Sequence, residues 1–114
     1  MPLIRVTTNQ SISAEAQAAF LRQLSAATAA MLGKPESYVM AIVNEQPQML
    51  FAGSAEPLAH VELKSLGLPE NNTADYSARL CSLIGEQLDI PPECIYIEFS
   101  APARHMWGWS GRTF

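Results

Sequence analysis

Residues 3–43 read LIRVTTNQSISAEAQAAFLRQLSAATAAMLGKPESYVMAIV, and they predict a strand, a helix and a second strand. Residues 3–8 are β-branched and apolar, which is typical of a short strand. Residues 14–32 are rich in alanine and carry their larger apolar side chains at helical spacing. Residues 38–43 are nearly all apolar, which predicts a strand buried on both faces. A strand, a helix and a parallel strand together make one βαβ unit.

Residues at both ends of the first helix favour these bounds. Ser11 and Ser13 precede it, and serine is a preferred residue at a helix N-cap. Gly33 follows the last apolar position, where a left-handed residue commonly ends a helix, and Pro35 prevents its continuation.

The second half of the chain repeats this pattern without repeating the sequence. Residues 60–66 alternate between apolar and polar, which indicates a strand with one buried face. A helix capped by Asn72 or Thr73 is predicted to run to residue 88, and residues 95–99 predict a further strand. The intervening residues 44–57 are a loop with room for one short strand at 49–52.

The predicted fold is therefore α/β: a β-α-β-β-α-β two-layer sandwich in a single domain spanning residues 1–114. Its two pseudo-repeated βαβ units form a four-stranded sheet with both helices on one face. The other sheet face carries mixed polar residues, so it is either solvated or packed on another subunit. These residues are His60, Glu62, Lys64, Tyr96 and Glu98.

Composition excludes several classes of function. The net charge is −4 and the seven Lys and Arg residues are scattered, so nucleic acid is not expected as a partner. No apolar stretch has membrane-spanning length and the N-terminus does not read as a signal peptide, so the default compartment is the cytoplasm. Cys81 and Cys94 form no CxxC motif and are either reduced core residues or one disulfide.

Two residues could carry chemistry. Removal of Met1 would turn Pro2 into a secondary amine, a base whose pKa burial or a nearby cation would lower toward neutrality. Lys34 could hold a substrate carboxylate or enolate, although a cation after a helix C-terminus is also ordinary. His60 and His105 lack the spacing and the third ligand of a metal site, so no metal is expected.

Aromatic residues concentrate near the C-terminus, where Trp107, Trp109 and Phe114 fall within eight residues. They would be costly to leave in water, so we expect them at a subunit contact or lining a pocket. Tyr96 and Glu98 share one strand face, either as an acid–carboxylate pair or as a plain cross-strand polar pair.

Short motifs along the whole chain together resemble the macrophage migration inhibitory factor family of the tautomerase superfamily. They follow the family's order and lie near its spacing. The motifs are Met1-Pro2, Thr8-Asn9, Gly33-Lys34-Pro35 with Tyr38, Gly53-Ser54-x-Glu56-Pro57, Ser65-Leu66-Gly67, Tyr76-Ser77, Leu80-Cys81, Tyr96-Ile97 and Gly108-Trp109.

The resemblance implies a homotrimer with three active sites between neighbouring subunits. In those sites the Pro2 amine would abstract and return a proton, Lys34 and the Leu66 backbone would contact the polar end of the substrate, and the neighbour's Tyr96 would orient it. Trp109 and Phe114 would wall the pocket. The implied substrates are small enolisable carbonyl compounds such as phenylpyruvates and dopachrome-type quinones, without metal or organic cofactor.

Three departures from the animal members of the family change these expectations. Glu98 replaces an asparagine, and a carboxylate near the amine would raise the amine pKa and repel an acidic substrate. The bulky Trp107 would narrow the pocket or its surroundings. Residues 58–61 replace the CxxC thiol motif, so thiol-redox activity is not carried over.

Two classes of function stay open. The first is a cofactor-independent tautomerase, which the presence of Pro2 and Lys34 favours. The second is a cytokine-like binding or signalling protein with a residual pocket. Export without a signal peptide would follow the family. In the animal members an arginine in the loop after the first strand is linked with receptor contact. No arginine lies between Gln10 and Ala14 here, so receptor contact has little support.

Overall fold

A computed structural model of the chain describes residues 1–114, and four strands form its main sheet. These are Pro2–Thr8 (β1), Met40–Glu45 (β2), Ala59–Ser65 (β3) and Ile95–Ser100 (β4). The strand order is β2-β1-β3-β4, with β1 parallel to β2, β3 parallel to β4, and β1 antiparallel to β3. The two predicted βαβ units therefore share one sheet through their first strands.

Each parallel strand pair is connected through a helix, Ala14–Leu32 (α1) or Thr73–Leu88 (α2), and both bounds match the sequence expectation. The Ser13 hydroxyl accepts a hydrogen bond from the backbone N–H three residues on, at 3.2 Å, and so caps α1. Gly33 ends α1 with φ of 61°, a left-handed conformation that costs glycine little. At α2, Asn72 occupies the N-cap position but its side chain makes no capping hydrogen bond.

Both helices pack on one face of the sheet, as predicted. Alternate residues of β1 and β3 are buried there, because successive strand side chains point to opposite faces. The largest side chains of the shared core come from strands and helices alike: Ile4, Val6, Phe20, Leu24, Val61, Leu63, Leu80 and Ile84.

The prediction that residues 38–43 are buried on both faces is wrong for this chain. Residues 36–38 form a 3₁₀ turn, and β2 begins only at Met40. The strand order places β2 at the edge of the sheet, and Met40 stays 62% exposed. An apolar run indicates that a strand is buried, but it does not show whether the side chains that bury it belong to the same chain or to a neighbouring subunit.

Residues 46–58 form a loop, and the short strand for which 49–52 left room is absent. Phe51 and Ser54 instead form one isolated bridge, closed by two backbone hydrogen bonds of 2.9 Å. Ala52 and Gly53 between them both have positive φ, as a tight two-residue turn requires. The structure also decides between the two readings of Cys81 and Cys94, which are free thiols packed at the margin of the core.

The C-terminal residues form a small hairpin that the sequence reasoning missed. Gly108–Trp109 (β5) pairs antiparallel with Arg112–Thr113 (β6). Ser110 and Gly111 make the turn with φ of 53° and 78°, the left-handed pair of a type I′ hairpin. A Ser-Gly dipeptide between aromatic-rich segments was the signal available. The hairpin holds the aromatic side chains beside the start of β1, where the cavities described below lie.

Neither helix combines the length and hydropathy that crossing a bilayer requires.

Candidate functional site

Two cavities, each of about 400 Å³, adjoin the start of β1 and share three lining residues, namely Met1, Tyr38 and Trp109. The volume falls at the small end of the range of ligand sites in proteins. The first cavity is bounded further by Pro2 and Leu3, by the residues around the start of β2, and by Trp107. The second is bounded further by Lys34, Pro35, Leu66, Gly67, Arg104 and Phe114. We call them the proline cavity and the cation cavity.

Pro2 is almost completely buried where it lines the proline cavity. It is the first residue of β1 and is paired with Ser65 on β3, so the sheet fixes its position. Its nitrogen is bonded to Met1, and an amide nitrogen is no base. Met1 lines both cavities, so its removal would join them and expose the Pro2 nitrogen to the combined space.

Lys34 follows Gly33, the C-cap residue of α1, and its side chain lines the cation cavity. Its Nζ donates a hydrogen bond of 3.2 Å to the Leu66 carbonyl oxygen. Gly33 in its left-handed conformation turns the chain here, and Pro35 leads into the 3₁₀ turn. Lys34 and the Leu66 backbone, both expected to contact the polar end of a substrate, are therefore in direct contact with each other.

The electrostatics around the chain's amino group favour its unprotonated form. Burial is the largest effect that lowers the pKa of the Met1 amino group, and Lys34 and Arg104 lower it further. Arg104 was missed in the sequence analysis. Arg104 is an isolated charge in the sequence of the C-terminal segment. It reaches the cavity because it begins a 3₁₀ turn, Arg104–Met106, directly before the hairpin.

Trp109 and Phe114 wall the cation cavity, and their rings stack with centroids 6.1 Å apart at 17°. The Arg112 guanidinium lies 5.0 Å from the Trp109 ring centroid on this hairpin, a cation–π contact that helps to orient the indole. Trp107 lines the proline cavity, and Phe114 donates its backbone N–H to the Trp107 carbonyl at 3.3 Å. The C-terminal aromatics thus line both cavities, one of the two placements expected for them.

Tyr96 and Glu98 lie outside both cavities of their own chain. Tyr96 is 65% exposed on the edge strand β4 and packs edge-to-face against Phe51, with ring centroids 4.6 Å apart. The Glu98 carboxylate is 2.6 Å from His60 Nε2 on the sheet face away from the helices. Any contact of these two side chains with a Pro2 amine must therefore come from a neighbouring subunit.

The chain matches the family described as Macrophage migration inhibitory factor (MIF) over residues 1–114. It is 39% identical to a macrophage migration inhibitory factor homolog of Brugia malayi, with 100% of this chain and 99% of that protein covered. The chain belongs to the macrophage migration inhibitory factor family.

Relatives in other organisms agree with this membership. The macrophage migration inhibitory factor of Rattus norvegicus is 33% identical over 100% of this chain and 99% of its own length. The crystal structure of a homologue from Prochlorococcus marinus superposes with a TM-score of 0.91 at 39% identity, covering 98% of each chain. The family resemblance and the mixed α/β fold expected from the sequence are confirmed.

Proposed function

We propose that this member of the family is a keto–enol tautomerase in which the Pro2 amine, freed by removal of Met1, is the acid–base group. The observation that carries the proposal is the placement of Pro2. It is buried in the apolar wall of one cavity, next to a second cavity that two cationic side chains, Lys34 and Arg104, line. Burial and both cations disfavour the charged form of an amine so placed, so its pKa would be lowered and its unprotonated, basic form favoured.

The proposed reaction moves one proton and needs no oxidant or reductant. The unprotonated amine takes a proton from the carbon next to the substrate carbonyl, and the C–H electron pair forms the carbon–carbon double bond of an enolate. The carbonyl oxygen gains the negative charge and is then protonated to the enol, while the ammonium gives up its proton. Lys34 would stabilise the oxygen charge or hold the substrate carboxylate. Phenylpyruvate is a substrate of the proposed size and chemistry.

We further propose that the active protein is a homotrimer. The exposed edge strand β2 and the polar sheet face away from the helices leave surface that a neighbour can cover. Tyr96 sits exposed on the other edge strand, β4, free to enter a neighbour's cavity. An assembly through sheet edges would bring Tyr96 and Glu98 to an amine that their own chain does not let them reach.

The first test compares turnover with N-terminal processing. Enol–keto conversion of phenylpyruvate should rise in proportion to the fraction of chains that lack Met1, as measured by intact mass. Material that retains Met1 should be inactive, since its Pro2 nitrogen is an amide. A cytokine-like binding protein, the other class that the sequence leaves open, predicts no such proportionality. Equal turnover by processed and unprocessed protein would refute the proposal.

Glu98→Gln tests the contribution of a neighbouring subunit. If Glu98 reaches a neighbour's amine, its carboxylate raises the amine pKa. The rise of kcat/KM with pH, which is the acid limb of the pH profile, should then lie at lower pH in the glutamine variant. This variant should also turn over phenylpyruvate a few times faster, because one repulsive charge is gone. The molar mass in solution should be three times the 12.4 kDa of one chain for both proteins. Unchanged rates and an unchanged pH profile would remove Glu98 from the site.

A further inference from the structure

The cation cavity carries more positive charge than one substrate carboxylate needs. Lys34 and Arg104 both line it, and no aspartate or glutamate does. The four ion pairs of the chain involve neither residue. Lys34 has a neutral partner, the Leu66 carbonyl, so no carboxylate of its own chain compensates its charge. The proline cavity has no charged side chain at all in its lining, so the excess is confined to one side of the site.

Arg104 is placed to act separately from Lys34. Lys34 comes from the end of α1, whereas Arg104 comes from the 3₁₀ turn before the C-terminal hairpin. Both residues line the cation cavity together with Met1, which is bonded to the Pro2 nitrogen, so both charges lie beside the reacting position. Two separate cations beside one base match two separate anionic groups on one small molecule.

We propose that the preferred substrate is a dianion, an enolisable 2-oxo dicarboxylic acid, and that Arg104 selects it by binding the second carboxylate. The inference rests on the proposed tautomerase function. Lys34 would bind the carboxylate or the oxygen next to the reacting carbon, and Arg104 the carboxylate at the far end. A cavity of about 400 Å³ is large enough for such a molecule. The guanidinium is suited to this role because it can hold a carboxylate through two parallel hydrogen bonds.

The deciding experiment compares two substrates on protein freed of Met1. Ketonisation of enol-oxaloacetate, a dianion, and of enol-phenylpyruvate, a monoanion, is measured for wild type, Arg104→Gln and Arg104→Lys. We expect Arg104→Gln to lower the ratio of kcat/KM for the dianion to that for the monoanion by about fivefold to tenfold, the range for a partly exposed but bidentate ion pair. Arg104→Lys should recover part of the ratio.

Arg22→Gln is the matched control, since it removes the same charge from an exposed position on α1. It should leave the ratio unchanged. An equal loss on both substrates in Arg104→Gln, or the same change in ratio in Arg22→Gln, would overturn the selection of a dianion by Arg104.

A binding measurement separates this inference from the proposed function. Glutarate, a dicarboxylate, and butyrate, its monocarboxylate counterpart, are titrated calorimetrically into the same proteins. Glutarate should bind wild type more tightly than butyrate does, and Arg104→Gln should remove most of that difference. If wild type turns over neither enol, the tautomerase proposal fails, and the glutarate titration still decides whether the two cations form a dianion site. Equal affinity for glutarate and butyrate would overturn the inference even in an active enzyme.

Discussion

Replacing Pro2 by glycine should lower kcat/KM for phenylpyruvate enol–keto conversion by about a hundredfold or more. General acid–base catalysis by a positioned group contributes about 10²–10⁴ in rate. Glycine still allows removal of Met1 and still ends in an amine, so the variant tests the position and basicity of the proline nitrogen rather than its presence. The proline ring makes the amine secondary and prevents rotation about its N–Cα bond, whereas glycine carries a primary amine on a bond that rotates freely.

Pro47→Gly is the matched control for this variant. Pro47 lies exposed in the loop after β2 and lines neither cavity, so its replacement should leave turnover within about a factor of two. Intact mass establishes that Met1 is gone in each protein, and the thermal midpoint establishes that each is folded. If Pro2→Gly, processed and folded, matches wild type, Pro2 is not the base.

The secondary structure was readable from the sequence wherever local signals agree. α1 has a serine cap, helical apolar spacing, a C-terminal glycine and a following proline, and both of its predicted bounds are correct. α2 shows a clear apolar stripe, and its predicted bounds hold although its N-cap side chain makes no hydrogen bond. The apolar stripe was the dependable part of that prediction, because the burial of one face stabilises a helix more than a cap does.

Predictions failed where burial depends on more than the local segment. The sequence of β2 is as apolar as a central strand, and its place at the sheet edge follows only from the strand order. Its apolar character is consistent with cover from a neighbouring subunit, which one chain cannot supply. At residues 49–52, where the sequence left room for a short strand, the chain turns at Ala52 and Gly53. Both residues have left-handed backbone conformations, so only Phe51 and Ser54 pair.

The candidate site was predicted in part. Pro2, Lys34 and the C-terminal aromatic residues stood out in the sequence itself, and the family resemblance added Leu66 and assigned the roles. The structure places these residues around two adjoining cavities that Met1 also lines. The pattern of the residues gave no sign of Arg104, since the path of the chain from β4 to the hairpin decides where that charge lies. The effect expected of Glu98 on the amine stays a prediction, because within one chain the only charged groups that shift the amine pKa are cations.

Replacing Lys34 by methionine should change both the rate and its pH dependence. Methionine keeps an unbranched apolar stem but loses the charge and the hydrogen bond to the Leu66 carbonyl. A hydrogen bond to a charged group contributes about 1.5–3 kcal/mol, so kcat/KM for phenylpyruvate should fall about tenfold to hundredfold. Lys34→Arg should recover part of the rate, since it restores the charge with a different geometry.

The pH dependence shows whether Lys34 also tunes the base. In the proposed mechanism the amine acts unprotonated, so kcat/KM should rise with pH through the amine pKa of the free enzyme. Lys34 lowers the pKa of the amino group at this position, so its removal should raise the Pro2 amine pKa and move the acid limb to higher pH. Arg22→Gln removes an equal charge from the exposed surface of α1 and should leave the limb in place. If Lys34→Met lowers kcat/KM without moving the acid limb, Lys34 is a substrate-binding residue only. If the acid limb moves in both Lys34→Met and Arg22→Gln, the cause is the net charge of the protein rather than the position of Lys34.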